Sequence, residues 1–222
     1  MTTYDPIWDE IYGKSSQLNR YPYSSVVSFL FRFAPRDRDR SQTRILEIGC
    51  GAGNNLWFAA REGFDVTGLD GSSSALEFAR TRFADDGLDG TFVEGDFTAL
   101  PFADPAFDIV IERAALSQTP KPDAKRAVAQ CARVLRPGGL MYAEIYSDRA
   151  TTRGRKIAGG CLVETEGPYA GVGQIALYGR SEIEELFEGC FKIMDLSHTE
   201  TVTISQKPQE VFAHWSVIAC KE

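Results

Sequence analysis

Residues Ile45–Asn55 read ILEIGCGAGNN. A short apolar run ends in glycines at alternate positions, Gly49, Gly51 and Gly53, and two asparagines follow. The stretch predicts a buried strand over Arg44–Ile48, a tight turn, and a helix over Asn55–Glu62 whose free amides and positive dipole end face a ligand. Glycine suits such a turn because a side chain would clash with the ligand or forbid the backbone angles. The dinucleotide fingerprint GxGxxG does not fit, since position 54 is asparagine and the third glycine comes early, giving GxGxG. No lysine or arginine lies in Gly49–Asn55, so a Walker phosphate loop does not fit either.

Working outward, strand and helix signals alternate. A second strand, Asp65–Leu69, ends in VTGLDGS and is followed by a helix over Ser73–Phe83. A third, Gly90–Glu94, ends in VEGDFTALPF. A fourth, Phe107–Glu112, precedes a helix over Lys121–Leu135, and the turn RPGG leads into a fifth, Leu140–Ile145. Short apolar strands separated by helices predict an α/β fold, a mostly parallel sheet covered on both faces. Upstream, Pro6–Tyr12 and Ser24–Phe33 predict a helical cap over about 1–35, and Arg36–Arg44 reads as a solvated connection. Downstream, a glycine-rich excursion over about 146–179 lacks a clear period, which suits a lid or a dimer contact. A helix over Ser181–Glu188 and strands over Phe191–Leu196 and Glu210–Cys220 complete the pattern, the last antiparallel at the edge. Neither a repeat nor a second domain is evident, so residues 1–222 read as one domain.

The chain ends of these strands supply candidate ligands. Asp70 falls at the carboxyl edge of the second strand, where a carboxylate can accept from both hydroxyls of a ribose. Asp96 falls at the edge of the third, where it can accept from a purine's exocyclic amine, with Phe97 against the ring face. Each aspartate has a plain structural alternative as a turn or helix cap. Composition narrows the class further. The net charge of −7 disfavours a general nucleic-acid binder. No two of the five cysteines form a CxxC pair, and with two histidines the chain is poor in soft metal ligands, so no metal is expected. The start MTTYDPIWDE lacks a signal pattern, and no apolar run reaches the roughly 20 residues that span a bilayer, so a cytoplasmic protein is expected.

Taken in order, ILEIGCGAGNN, VTGLDGS, GDFTALPF, FDIVIERAALSQ and CARVLRPGGLMYAE resemble the class I, Rossmann-like S-adenosylmethionine-dependent methyltransferases over roughly Arg44–Glu144. The resemblance implies a seven-stranded sheet with its last strand antiparallel and the cofactor at the carboxyl ends of strands one to four. It implies that Glu47, Gly49, Gly51 and Gly53 shape the floor for the methionine part. It further implies that Asp70, Gly71 and Ser72 hold the ribose side, that Asp96 and Phe97 contact adenine, and that Glu112 and Arg113 meet the cofactor tail and the substrate. S-adenosylhomocysteine is the implied product. Many small-molecule members carry a histidine just after strand four; Gln118 stands there instead, and an amide cannot act as a base.

Acceptor contacts are expected from three places: Trp8, Tyr12, Arg20, Tyr21 and Tyr23 of the cap; Glu112, Arg113, Ser117 and Gln118; and Tyr169 and Tyr178 of the excursion. The basic cluster Arg149, Arg153, Arg155 and Lys156 could meet an anionic acceptor or only solvate its loop. His198 is a candidate base, alongside Arg113 and Glu112 as catalytic candidates, and Cys50 reads as packing. The expected function is methyl transfer to a small molecule, on oxygen, a carboxyl group or nitrogen, by positioning and desolvation. Such an enzyme would be a monomer or homodimer without a nucleic-acid or membrane partner. The alternatives are a protein or RNA methyltransferase and a cofactor-binding protein without turnover.

Overall fold

The computed structural model describes residues 5–14, 18–205 and 207–222. Parts of the expected cap, 1–4 and 15–17, lie outside the described residues. The elements are α1 (Ile7–Gly13), α2 (Ser24–Phe33), β1 (Arg44–Ile48), α3 (Asn54–Arg61), β2 (Asp65–Asp70), α4 (Ser73–Asp85), β3 (Thr91–Glu94), β4 (Phe107–Arg113), α5 (Lys121–Val134) and β5 (Leu135–Tyr146). They continue with β6 (Arg153–Lys156), β7 (Cys161–Glu166), β8 (Ile175–Ala176), α6 (Arg180–Phe187), β9 (Phe191–Thr203) and β10 (Glu210–Lys221).

Seven strands form one sheet in the order β3-β2-β1-β4-β5-β10-β9. The first five run parallel. β10 is antiparallel to both its neighbours. The last strand is therefore antiparallel, as expected, but it lies inside the sheet, and β9 takes the edge. Strand order reverses between β1 and β4, and in sheets of this kind ligands settle outside the carboxyl ends at that switch point.

The period of two along β1 divides the core. Leu46 and Ile48 pack on the face covered by α5 and α6, with Val110, Val128 and Phe187. Ile45 packs on the other face with Ile109, Ile111, Leu56 and Phe29, under α2 and α3. At the sheet's opposite end Asp108, nearly buried, accepts from Arg38 Nη2 (2.9 Å), Arg136 Nη1 (2.8 Å) and the Arg44 amide (2.8 Å). The connection over Arg36–Arg44 is thus not merely solvated, because Arg38 pins it beneath the sheet.

The excursion also departs from expectation. It folds into a small antiparallel sheet, β6-β7-β8. Its strands are short, and all four residues of β6 are exposed, so no apolar alternation marked it. Among the described residues no helix is long and apolar enough to cross a membrane.

Candidate active site

The glycine turn after β1 adopts the left-handed backbone its composition suggested, with φ of 63°, 51° and 70° at Gly49, Gly51 and Gly53. Two of the positions are also crowded. A Cβ on Gly49 would strike the Cβ of Ala115, and one on Gly51 would strike the hydroxyl of Tyr12. Asp70 holds this turn: its Oδ2 accepts from the Gly51 amide (2.7 Å) and its Oδ1 from the Ser72 amide (2.8 Å). Burial pushes its carboxyl up from the usual aspartate range, against the pull of those amides.

The turn opens into a cleft. Glu47, Gly49, Gly51, Asp70, Gly71 and Phe97 line one part; Trp8, Tyr12 and Tyr23 stand over it; Arg113, Gln118 and Tyr146 form the far wall.

Asn54, at the position of the fingerprint's third glycine, and its neighbour Asn55 connect the floor to the cap. Asn55 donates from Nδ2 to Glu47 Oε1 (2.7 Å), and its Oδ1 accepts from the Tyr23 amide (3.0 Å). Asn54 donates to the Tyr21 carbonyl (3.0 Å). Glu47 is only 2% exposed, and its Oε2 has no partner among the described residues. Burial raises its carboxyl to about 8. Tyr12 is raised as well, by burial first and then by Asp70, so its phenol stays protonated.

Several expected contacts fall elsewhere. Glu112 is fully buried, does not line the cleft, and accepts from the Leu116 amide at 2.9 Å. It braces the turn after β4, so direct catalysis or cofactor contact by it is corrected to a supporting role. Asp96 Oδ1 accepts from the Thr98 amide (2.8 Å) and hydroxyl (2.7 Å), which is the turn cap, and only its neighbour Phe97 reaches the cleft. Ser72 caps α4 through Ala75 (3.2 Å) and donates to Asp9 of α1 (2.6 Å). Gly53 packs against Ala79 and Phe92 rather than the cleft. Ser117 accepts from the Tyr146 amide (2.8 Å).

Arg20 and Tyr21 are exposed, Tyr21 by 70%, and they contribute carbonyls to Arg82 and Asn54. Tyr169 is buried: its hydroxyl donates to the Ala213 carbonyl (2.7 Å) and its ring stacks on Tyr146 at 3.9 Å. Tyr178 is buried beneath Lys121. Both tyrosines anchor the excursion to the body instead of lining the cleft. His198 lies outside as well, with Nε2 2.8 Å from Ser147 Oγ and its ring on Trp215, so it is corrected from a candidate base to a packing residue. Arg149, Arg153, Arg155 and Lys156 stand outside the cleft too.

Asp5 and Tyr146, which sequence reading missed, complete the roof together with Gln118, which it named. Asp5 Oδ2 accepts from the Gln174 amide at 3.4 Å. With its amide nitrogen facing them, Gln118 donates to the carbonyls of Val172 (2.9 Å) and Gln174 (2.8 Å), while its other amide atom lies 3.5 Å from the Tyr146 hydroxyl. Tyr146 ends β5 at the cleft, a place that strand position alone could have flagged. Among the described residues no group of three or more His, Cys, Asp or Glu could hold a metal.

Residues 45–139 match the family model described as a methyltransferase domain. Over that stretch the chain resembles the class I, Rossmann-like methyltransferases. A ubiquinone biosynthesis O-methyltransferase of Photorhabdus laumondii is 35% identical over 100 residues, which cover 45% of this chain and 41% of the relative. This chain thus spans about two fifths of the length of the curated relative it matches. Among solved structures, a methyltransferase of Methanosarcina mazei superposes with a TM-score of 0.68 at 22% identity, covering 90% of this chain and 98% of that one. The [4+2]-cyclase SpnF superposes at 0.66 with 19% identity, covering 89% and 80%. These last two likenesses concern the fold alone.

The family's cofactor is S-adenosylmethionine. The donor set of this methyltransferase fold fits it. Glu47 Oε2 is an unpartnered, buried acceptor among the described residues of the floor, suited to an ammonium, and it lies beside the left-handed glycine turn. Asp70 and Phe97 offer a carboxylate and a ring face on the adenosine side.

Proposed function

We propose that this protein transfers a methyl group from S-adenosylmethionine to an oxygen of a small-molecule acceptor. One observation carries the reading: the glycine floor with Asp70 and Phe97 shares a single cleft with the wall of Tyr23, Arg113, Gln118 and Tyr146. The cofactor supplies an electrophilic methyl on a good leaving group. The protein's part is then to hold two partners in line and exclude water. Glu47, Gly49, Gly51, Asp70, Gly71 and Phe97 would hold the cofactor, and Tyr12 and Trp8 would cover it as a lid.

Oxygen is favoured by the names of the relatives, which share the cofactor-binding half of the chain. No histidine lines the cleft, and burial keeps the Tyr12 and Tyr146 phenols protonated. The acceptor oxygen must therefore ionise without a strong base, as a carboxylate or an acidic hydroxyl does. A small molecule is favoured over a nucleic acid by the net charge of −7 and by the basic cluster's position outside the cleft. A cytoplasmic monomer or homodimer, acting as one domain with residues 146–179 and the cap as its roof, suits this reading.

The test is calorimetric titration with S-adenosylmethionine and S-adenosylhomocysteine, followed by an acceptor screen that reads S-adenosylhomocysteine release. Binding near one to one with acceptor-dependent release is expected. Binding without release across acidic hydroxyl and carboxylate acceptors would favour a second reading, a cofactor-binding protein with other chemistry, to which the lack of a cleft histidine also points.

A further inference from the structure

Among the described residues the cleft has one cation in its wall, Arg113, and it is held by a purpose-built support. Arg113 ends β4, directly beside Glu144 of β5 in the sheet register. Its Nε lies 2.9 Å from Glu144 Oε2, too bent for a hydrogen bond but a close ion pair. Glu144 is 5% exposed, and its Oε1 accepts from the Tyr142 hydroxyl at 2.8 Å. The face of the guanidinium lies over the Tyr23 ring, with Cζ 3.8 Å from the centroid. Ala114 then turns the chain sharply in the left-handed region, φ 64°, and its amide donates to the Glu144 carbonyl at 2.9 Å.

A guanidinium has two hydrogen-bonding edges and a face. Here Glu144 takes the Nε side and Tyr23 takes the face. Among the described residues no acceptor is bonded to Nη1 or Nη2, and the side chain is 27% exposed at the cleft. That forked outer edge matches a carboxylate or another planar oxyanion. Topology says which molecule brings it. The adenosine side lies at β2 and β3, with Asp70 and Phe97, and the floor lies at β1. Arg113 stands on the opposite side, where β4 meets β5, beside the rings of Tyr23 and Tyr146.

We infer that Arg113 is the docking point for an oxyanion on the acceptor, so that the acceptor is an acid with a planar, aromatic body. The inference rests on the methyltransferase reading and adds the acceptor's chemical class. Glu144 is the positioning residue: it fixes the guanidinium so that its outer edge faces the cleft.

The test titrates the full chain, alone and saturated with S-adenosylhomocysteine, with benzoate, 4-hydroxybenzoate and benzamide. The expected result is that both carboxylates bind the loaded protein at least ~10-fold more tightly than benzamide. The paired variant Arg113→Gln with Glu144→Gln removes the cation without stranding a buried carboxylate. It should abolish the preference and leave S-adenosylhomocysteine affinity within about twofold. Arg113→Lys, which keeps charge but loses the fork, should retain only part of the preference. Equal binding of benzoate and benzamide, or no carboxylate binding, overturns the inference. So does a variant that keeps the preference, or one that instead loses S-adenosylhomocysteine, since the cation would then serve the cofactor's own carboxylate. If the wild type fails to bind S-adenosylhomocysteine, the methyltransferase reading fails by itself. Benzoate held by the unloaded wild type and lost in the paired variant would still leave the anion site standing.

Discussion

On the floor of the cleft the backbone does the work: three left-handed glycines carry the chain around a tight turn whose amide Asp70 holds. Over it, the roof is made by side chains that reach between remote segments. Asp5 meets the amide of Gln174, 169 residues away, and Gln118 meets Val172 and Gln174. A floor fixed by backbone angles admits few residue types and tolerates little movement. A roof fixed by single polar contacts, each worth about 1 kcal/mol net, can open at small cost. The difference suits a site that keeps one shape for its cofactor and admits its acceptor through a movable cover.

Two buried glutamates sharpen the contrast within the floor itself. Glu47 and Glu112 stand at the ends of the neighbouring strands β1 and β4, both are raised to about 8 by burial, and each has an unpartnered Oε2. Only Glu47 faces the cleft. Identical chemistry is thus turned to the cleft in one case and to a backbone turn in the other.

The largest effect is expected from the floor. Asp70→Ala strands two buried amides, at about 1–3 kcal/mol each, and should lower S-adenosylhomocysteine affinity at least ~10-fold along with the melting temperature. Calorimetry with unchanged affinity would break the contrast outright. Gly51→Ala combines a left-handed backbone with a clash on Tyr12, and should cost about 1–3 kcal/mol of stability by chemical denaturation. Adding Tyr12→Ala to that variant should return part of the loss if the clash contributes.

Asn55→Ala cuts the tie between floor and cap at both ends, and an intermediate loss of about 1–2 kcal/mol is expected. The glutamates give a pH test. A carboxyl whose folded pKa is raised from 4.5 to about 8 stabilises the fold most below pH 4.5, and that contribution is lost as pH rises through 8. Glu112→Gln should therefore flatten the fall in melting temperature between those values while leaving ligand affinity near wild type; Glu47→Gln should flatten it too but weaken cofactor binding. The smallest effect belongs to the roof: Gln118→Ala should raise the acceptor KM by about two- to tenfold with little change in melting temperature. A large loss of stability there would mean the roof is as rigid as the floor.

The same division explains what could be read from sequence. The order of strands and helices over 44–145 was legible because β1, β2 and β4 are short, almost continuously buried apolar runs separated by helices, and because glycine is demanded at left-handed positions. Asp70 was legible through its place at a strand end, although both its oxygens turn out to hold amides. Glu112 and Ser117 were misplaced because a polar residue beside a pocket reads alike whether its side chain points in or turns back to the backbone. His198 was suggested by its place near the end of the expected sixth strand, and the register that sets it against Ser147 and Trp215 is a property of β9 and β10 pairing. Asp5, Asn55 and Tyr146 owe their roles to partners far away in sequence, which no local pattern encodes.

The placement of β10 between β5 and β9 has a consequence for how the chain acquires its shape. β9 is made first but has no place in the sheet until β10 arrives, because among the described residues its only sheet neighbour is β10. During synthesis the parallel half can assemble while the outer edge of β5, the strand that carries Glu144 and Tyr146, stays open. An open edge is the surface on which nascent chains stick to one another. Ribosome-bound intermediates ending before residue 210 should therefore depend on chaperones far more than those that include β10.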